Sequence, residues 1–262
     1  MHLVLINASV LLYAHYTDTG YSRQMEMRDF MQKPIEAAKR FIKTAHPDCD
    51  GAVLAGSCAR GEATATSDLD IIILYEGENR AYRKSVYVDG WPIEMFVYTG
   101  DAYLDFFSSD AMRGIPSLPR MASEAIILKE STAVHKMQAE ANRILAEGPL
   151  PWSEQIIDHH RYMITNLIDD FLDKEDGGEA YFLANSIVHD LAVFMLRTKK
   201  HWIGAGKWMF RELHDLDPEL ASQFEQSLAA FYRRHDKQAI VHLADKCLEL
   251  FGGRFFEGYY VG

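Results

Sequence analysis

Two aspartates one residue apart, Asp68 and Asp70, open an apolar run reading DLDIIILY (68–75), and Gly56-Ser57 closes a shorter one, GAVLAG (51–56). The β-branched run has the composition of a buried central strand. Strand side chains alternate, so both carboxylates project to one face. At about 4 Å such a pair repels by about 4 kcal/mol for an effective dielectric near 20. It calls for a proton, a cation or solvent between its members. Gly56 and Ser57 have side chains small enough for backbone amides to approach an anion closely. Hard oxygen ligands backed by a phosphate-sized loop point to Mg²⁺ with a nucleotide bridging it. A third carboxylate, Glu94, lies inside the apolar run IEMFV (93–97), where it is costly without a partner. A salt bridge to a buried Arg or Lys would satisfy it. A strand paired beside 68–75 would instead bring it into a carboxylate triad.

The elements that must position these groups follow from periodicity. Residues 86–98 (VYVDGWPIEMFVY) read as a hairpin, two strand-like runs meeting at Asp89-Gly90, a dipeptide suited to a positive-φ turn. Residues 21–45 carry Met25, Phe30, Ile35, Ala38 and Phe41-Ile42 along one helical face. Helices are also expected over 101–112 and 131–147. Two prolines in 147–151 (EGPLP) mark a domain boundary, giving domains 1–148 and 149–262. Beyond it the pattern is helical. Ser153 is the N-cap of a helix with an apolar stripe from Ile156-Ile157 to Phe171-Leu172. Gly177-Gly178 stops that helix, another runs over 179–197, Asp217-Pro218 opens a further one, and 237–251 forms the last. The fold class is α+β: an N-terminal domain with a small mixed sheet, then a C-terminal helical bundle.

Composition narrows the function classes. The chain has 262 residues, enough for two domains, with 48% hydrophobic and 25% charged residues, which excludes disordered and collagen-like chains. Lys and Arg total 27 against 38 Asp and Glu, a net charge of −11. Such a surface repels phosphate backbones and attracts small cations, so no general nucleic-acid binding is expected. Three scattered cysteines, Cys49, Cys58 and Cys247, form neither a disulfide framework nor a CxxC metal site, as in a reducing cytosol. The apolar run at 3–14 (LVLINASVLLYA) lacks a basic leader and a cleavage site and is too short to span a bilayer. It reads as a buried strand, a buried helix or a dimer contact. A cytoplasmic protein without membrane attachment, with a homodimer left open, is the expectation.

Gly56-Ser57, Arg60-Gly61, Ser67-Asp68-Leu69-Asp70 and a strand-borne Glu94 together resemble the nucleotidyltransferase superfamily of DNA polymerase β. With a helical C-terminal half, the chain most resembles the bacterial aminoglycoside nucleotidyltransferases, enzymes of antibiotic resistance. The resemblance implies that Asp68 and Asp70 hold two Mg²⁺ ions. Ser57, the Gly56 backbone and Ser67 would bind the triphosphate of ATP, with Arg60 neutralising it. Glu94 would be the general base or a third metal ligand. Nucleoside monophosphate, AMP from ATP, would pass to an acceptor hydroxyl with release of pyrophosphate. The streptomycin-type enzymes carry a threonine-glycine-lysine stretch that contacts phosphate. Lys207, between glycines and Trp208, resembles it, and Lys199 is the second choice. The plainer alternative is that these lysines complement a helix C-terminus.

Other readings stand beside these. Ser67-Asp68 taken alone is a turn or helix cap. The pairs His159-His160 and His189-Asp190 suit packing or surface positions on amphipathic helices better than a metal site. Trp202, Trp208, Tyr259 and Tyr260 are expected in packing rather than in a ligand pocket. The acidic runs Asp169-Asp170 and Glu175-Asp176 are expected as solvated helix faces and ends. An acceptor that is RNA or protein, or an antitoxin-like binding module of the same fold, are the competing functions. RNA would call for a basic groove, and only 197–207 offers one.

Overall fold

The computed structural model describes residues 33–261. The apolar run at 3–14 and the first part of the helix expected from residue 21 lie outside them. The described chain forms two compact units, one containing residues up to 103 and 121–139, the other 104–120 and 140 onward.

The first unit is built on a five-stranded sheet: β1 (Gly51–Ala55), β2 (Leu69–Tyr75), β3 (Arg80–Val88), β4 (Trp91–Thr99) and β5 (Ile126–Lys129), in the order β3-β4-β2-β1-β5. β2 and β4 are parallel and every other pair is antiparallel, so the sheet is mixed as expected. β3 lies two strand positions from β2, and the chain then returns through the tight turn Asp89 (φ 51°) and Gly90 (φ 82°) to lay β4 in the gap. That return brings residues 91–99 alongside β2. β1 and the Ile71–Leu74 stretch of β2 are fully buried, as the β-branched runs predict. Helix α1 (33–45) covers one face with Ala37, Ala38, Phe41 and Ile42, which join Leu54, Ile71, Ile73, Met95 and Val97 in one core.

The sheet is larger than the sequence reading supposed. β3 begins six residues earlier than the hairpin pattern indicates, because residues 80–85 are exposed on an edge strand and show no buried alternation. β5, four half-buried residues at the other edge, carries no signal of its own. The one-turn helix α2 (Gly56–Ala59) follows β1.

The second unit is helical. It comprises α3 (Tyr103–Arg113), α4 (Ser117–Ser123), α5 (Thr132–Glu147), α6 (Glu154–Asp173), α7 (Gly178–Thr198), α8 (Lys207–Leu216), α9 (Pro218–Arg234) and α10 (Lys237–Glu249), with the first residue of α3, the end of α4 and the first half of α5 counted in the sheet unit. Ser153 accepts from the Ile156 N–H at 3.3 Å and opens α6. The buried stripe of α6 is narrower than expected: Ile164, Thr165, Ile168 and Phe171 are inside, while Ile156, Met163 and Leu172 are exposed. The core joins Ile168, Phe171, Leu191, Phe194, Phe231 and Ile240, with Phe171 and Phe231 edge to face at 5.2 Å. Among the described residues, no helix is long and apolar enough to cross a membrane.

Asp217 closes α8 and opens α9, its carboxylate accepting from the N–H groups of Glu219 (2.9 Å) and Leu220 (3.1 Å), with Pro218 in the first turn. Asp217→Ala leaves both donors without that acceptor. It is expected to cost about 1 kcal/mol of helical-unit stability, read as a lower urea midpoint by far-ultraviolet circular dichroism.

Candidate active site

The site begins with strand register. In the antiparallel β1/β2 pair Ala55 stands opposite Asp70, and in the parallel β2/β4 pair Asp70 stands opposite Glu94. Asp68 lies two residues before Asp70 and so faces the same way. One carboxylate oxygen from each of Asp68, Asp70 and Glu94 lies within 4.8 Å of the others, all three side chains half-buried. Even at 4.8 Å, two unit charges repel by about 3.5 kcal/mol for a dielectric near 20.

Gly56 makes room for this. Its φ is +70°, and a Cβ there would overlap the Asp70 carboxylate, so the chain turns directly against that side chain in a conformation L-residues avoid. Ser57 donates to the Ser67 hydroxyl at 3.1 Å, and Ser67 Oγ accepts from the Thr64 N–H at 2.8 Å. These contacts bring the Gly56-Ser57 corner and the Ser67-Asp68 segment together. Buried Cys58 donates its S–H to the Asp68 carbonyl at 3.3 Å. Burial and the two aspartates push its thiol up to about 11, so it is a packing group. Arg60 pairs with Glu62 at 3.3 Å and with Glu124 at 3.2 Å.

Glu94 has two partners on β3. Ser85 donates to its Oε1 at 3.3 Å, and Arg83 pairs with its Oε2. The salt bridge anticipated for Glu94 is therefore present together with the triad, but its cation comes from an exposed edge strand. Sequence reading had not singled out Arg83 or Ser85. The signal was two polar residues two apart on the strand preceding the Asp89-Gly90 turn.

Lys199 and Lys207 belong to the helical unit and are exposed, Lys199 capping the end of α7 and Lys207 starting α8 after Gly206. Both histidine pairs serve local contacts. His160 stacks on Trp152 at 4.1 Å, His159 Nδ1 lies 2.7 Å from the Tyr259 hydroxyl, and His189 lies 3.1 Å from Asp190. Trp202 is buried and donates to the Leu145 carbonyl at 3.2 Å. Trp208 lies between Arg120 and Arg211 at 4.9 and 4.7 Å, and Tyr259 stacks on Tyr162 at 3.8 Å. Tyr260 breaks the expected pattern: it is 85% exposed, at the very end of the described chain.

Arg83 meets only one of the three carboxylates directly. Burial first, then Asp68 and Glu94, push Asp70 up to about 6 against the opposing pull of Arg83 and Arg60. Three hard carboxylate donors this close fit a divalent cation such as Mg²⁺ or Mn²⁺. Between the ordinary carboxylate range and about 6, the folded chain keeps a proton that the unfolded chain has released. The contribution of Asp70 to stability therefore falls as pH rises through that window. In chelating buffer, thermal melts of the wild-type protein are expected to show this loss, and Asp70→Asn to remove it, gaining at most about 3 kcal/mol near neutral pH. A variant no more stable than wild type would refute the assignment.

Residues 35–111 match the family model described as nucleotidyltransferase domain, a span that contains the triad, Gly56-Ser57 and the β2/β4 pair. No curated protein matches the chain. Among solved structures, a nucleotidyltransferase-like protein from Exiguobacterium sibiricum is similar, with a TM-score of 0.43 and 14% identity over 81% of this chain and 73% of that one. Residues 35–111 are thus similar to a nucleotidyltransferase domain, and the Asp68, Asp70 and Glu94 carboxylates cluster within that span.

Proposed function

We propose that the protein transfers AMP from ATP to a hydroxyl of a small cationic acceptor, such as an aminoglycoside, in a Mg²⁺-dependent reaction. The observation that carries this reading is the register placing Glu94 opposite Asp70, with Asp68 on the same face and Gly56 against the Asp70 carboxylate.

In this reading Asp68 and Asp70 hold two Mg²⁺ ions, with Glu94 as a third ligand or as the base. Bound there, Mg²⁺ supplies charge stabilisation to the phosphates and the leaving pyrophosphate. Ser57, Ser67 and the Gly56 backbone grip the β- and γ-phosphates, and Arg60 adds positive charge. The acceptor oxygen attacks the α-phosphorus in line. The bond to the bridging oxygen breaks, pyrophosphate leaves, and the acceptor proton passes to Glu94 when Glu94 is the base. Most of the rate comes from positioning and charge stabilisation. Residues 149–262 supply acceptor binding, and Lys207 and Lys199 are the phosphate contacts proposed from that half. The net charge of −11 favours a cationic acceptor. A nucleic-acid acceptor is disfavoured further because Arg197, the first cation of the 197–207 stretch, is only 5% exposed. It donates to the Leu150 carbonyl at 2.7 Å.

The direct assay is pyrophosphate release from Mg²⁺-ATP against a panel of aminoglycosides and lincosamides, with product masses read in parallel. An acceptor heavier by one AMP is the expected result. Asp68→Asn and Asp70→Asn are expected to abolish it while the protein stays folded, and unchanged turnover in either would overturn the metal-site assignment. Release-free Mg²⁺-ATP binding would shift the acceptor to a macromolecule, and absence of nucleotide binding would sink the enzymatic reading.

The role of Glu94 separates in a second variant. If it is the base, Glu94→Gln lowers turnover by about 10²-fold or more with nucleotide binding retained. If it is a ligand, Mg²⁺-dependent nucleotide binding is lost, which equilibrium dialysis distinguishes.

A further inference from the structure

We propose that Arg83 is an exchangeable counter-cation of the Asp68–Asp70–Glu94 cluster, held on the Glu94 carboxylate while the cluster carries no metal ion and displaced when a divalent cation binds. The inference rests on the metal-binding reading above and concerns how that site is regulated.

The cluster concentrates three carboxylates within 4.8 Å. Arg83 touches it directly through Glu94 Oε2, whereas Arg60 is engaged with Glu62 and Glu124. Arg83 comes from β3, the exposed edge strand, and its side chain is 60% exposed while that of Glu94 is 22% exposed. A pair so open to solvent is weak and readily exchanged. The guanidinium also has a second resting place that costs no further movement of the strand: it already lies over the Phe96 ring, 4.8 Å from its centroid. Ser85, a donor without charge, holds the other Glu94 oxygen, Oε1, by a hydrogen bond at 3.3 Å. The carboxylate therefore keeps an anchor on β3 when the cation leaves Oε2.

The chemistry makes the two occupants mutually exclusive. A guanidinium donates hydrogen bonds to carboxylate lone pairs and cannot ligate a metal, and a divalent ion on the same oxygen repels it. The exchange forms no covalent bond and moves no proton; one cation replaces another on Glu94. Its consequence is a competitive charge already resident at the site, which lowers metal affinity in the absence of nucleotide. The freed guanidinium is a phosphate-binding group, so metal arrival and triphosphate arrival favour one another.

The test is Mn²⁺ binding to the nucleotide-free 262-residue chain, followed by electron paramagnetic resonance of the free ion. Arg83→Gln is expected to bind Mn²⁺ about fivefold more tightly than wild type, the ceiling set by an exposed ion pair. Arg83→Lys, which keeps the charge, is expected near wild type. Arg80→Gln removes a charge of the same sign on the same strand, paired with Glu78 at 3.4 Å, and is expected to leave the affinity unchanged. Arg83→Thr, a residue suited to an edge strand, gives the same comparison should the glutamine variant misfold. Equal or weaker Mn²⁺ binding in the Arg83 variants, or equal tightening in Arg80→Gln, overturns the proposal. Asp70→Asn in parallel keeps the two readings apart. If it abolishes Mn²⁺ binding while Arg83→Gln does nothing, only the role of Arg83 falls. If Mn²⁺ binds regardless of Asp70, the metal site itself falls with it.

Discussion

Three carboxylates held within 4.8 Å of one another repel, and the rest of the sheet unit is organised around resisting that repulsion. Left to relax, the side chains of Asp68, Asp70 and Glu94 would separate into solvent. They stay because Asp70 and Glu94 occupy neighbouring strands in a fixed parallel register, with Asp68 at the mouth of the same strand. Behind them Ile71 to Leu74, Ile93, Met95 and Val97 are buried, and a slip of β4 by one residue would turn Ile93, Met95 and Val97 away from the core they share with Ile71 and Ile73. Hydrophobic burial on one stretch of strand thus holds together charges that would otherwise part.

The same unit divides its tasks between interior and edge. The interior strands are apolar and fix position. The edge strand β3 is exposed along most of its length and supplies Arg83 and Ser85, which both bind the Glu94 carboxylate. Charged edge residues are commonly a guard against strand-to-strand aggregation, and here one of them also answers the charge of the cluster. Gly56 completes the arrangement from the other side, since any larger residue would overlap the Asp70 carboxylate.

The helical unit obeys plainer rules. Ser153, Asp217 and Asp236 accept from the first-turn amides of α6, α9 and α10, and the packed aromatic and aliphatic residues fill its core. Arg197 departs from convention: it is buried, its guanidinium donates to the Leu150 carbonyl and lies 5.5 Å from the Trp152 ring centroid, and among the described residues its Nε has no hydrogen-bond partner. It pins the proline-flanked segment 149–151 at Leu150 and is lost to the surface as a cation.

Local chemistry was legible from residue order alone. Asp68 and Asp70 share a face because strands alternate, Asp89-Gly90 turns because both residues tolerate positive φ, and Ser153 and Asp217-Pro218 open helices because their side chains or ring suit a first turn. The mixed sheet and helical second half followed from those patterns, and so did the three carboxylates as a set. What the sequence could not determine was proximity. Whether Glu94 meets Asp70 depends on β4 inserting between β2 and β3, a non-local pairing that leaves no trace in either segment. The exposed residues 80–85 and the short β5 were hidden for a related reason: edge strands bury too little to impose a hydrophobic period. The pairing of Arg83 with Glu94 was likewise decided only by tertiary structure, because two residues eleven apart in sequence become neighbours through the register of a hairpin.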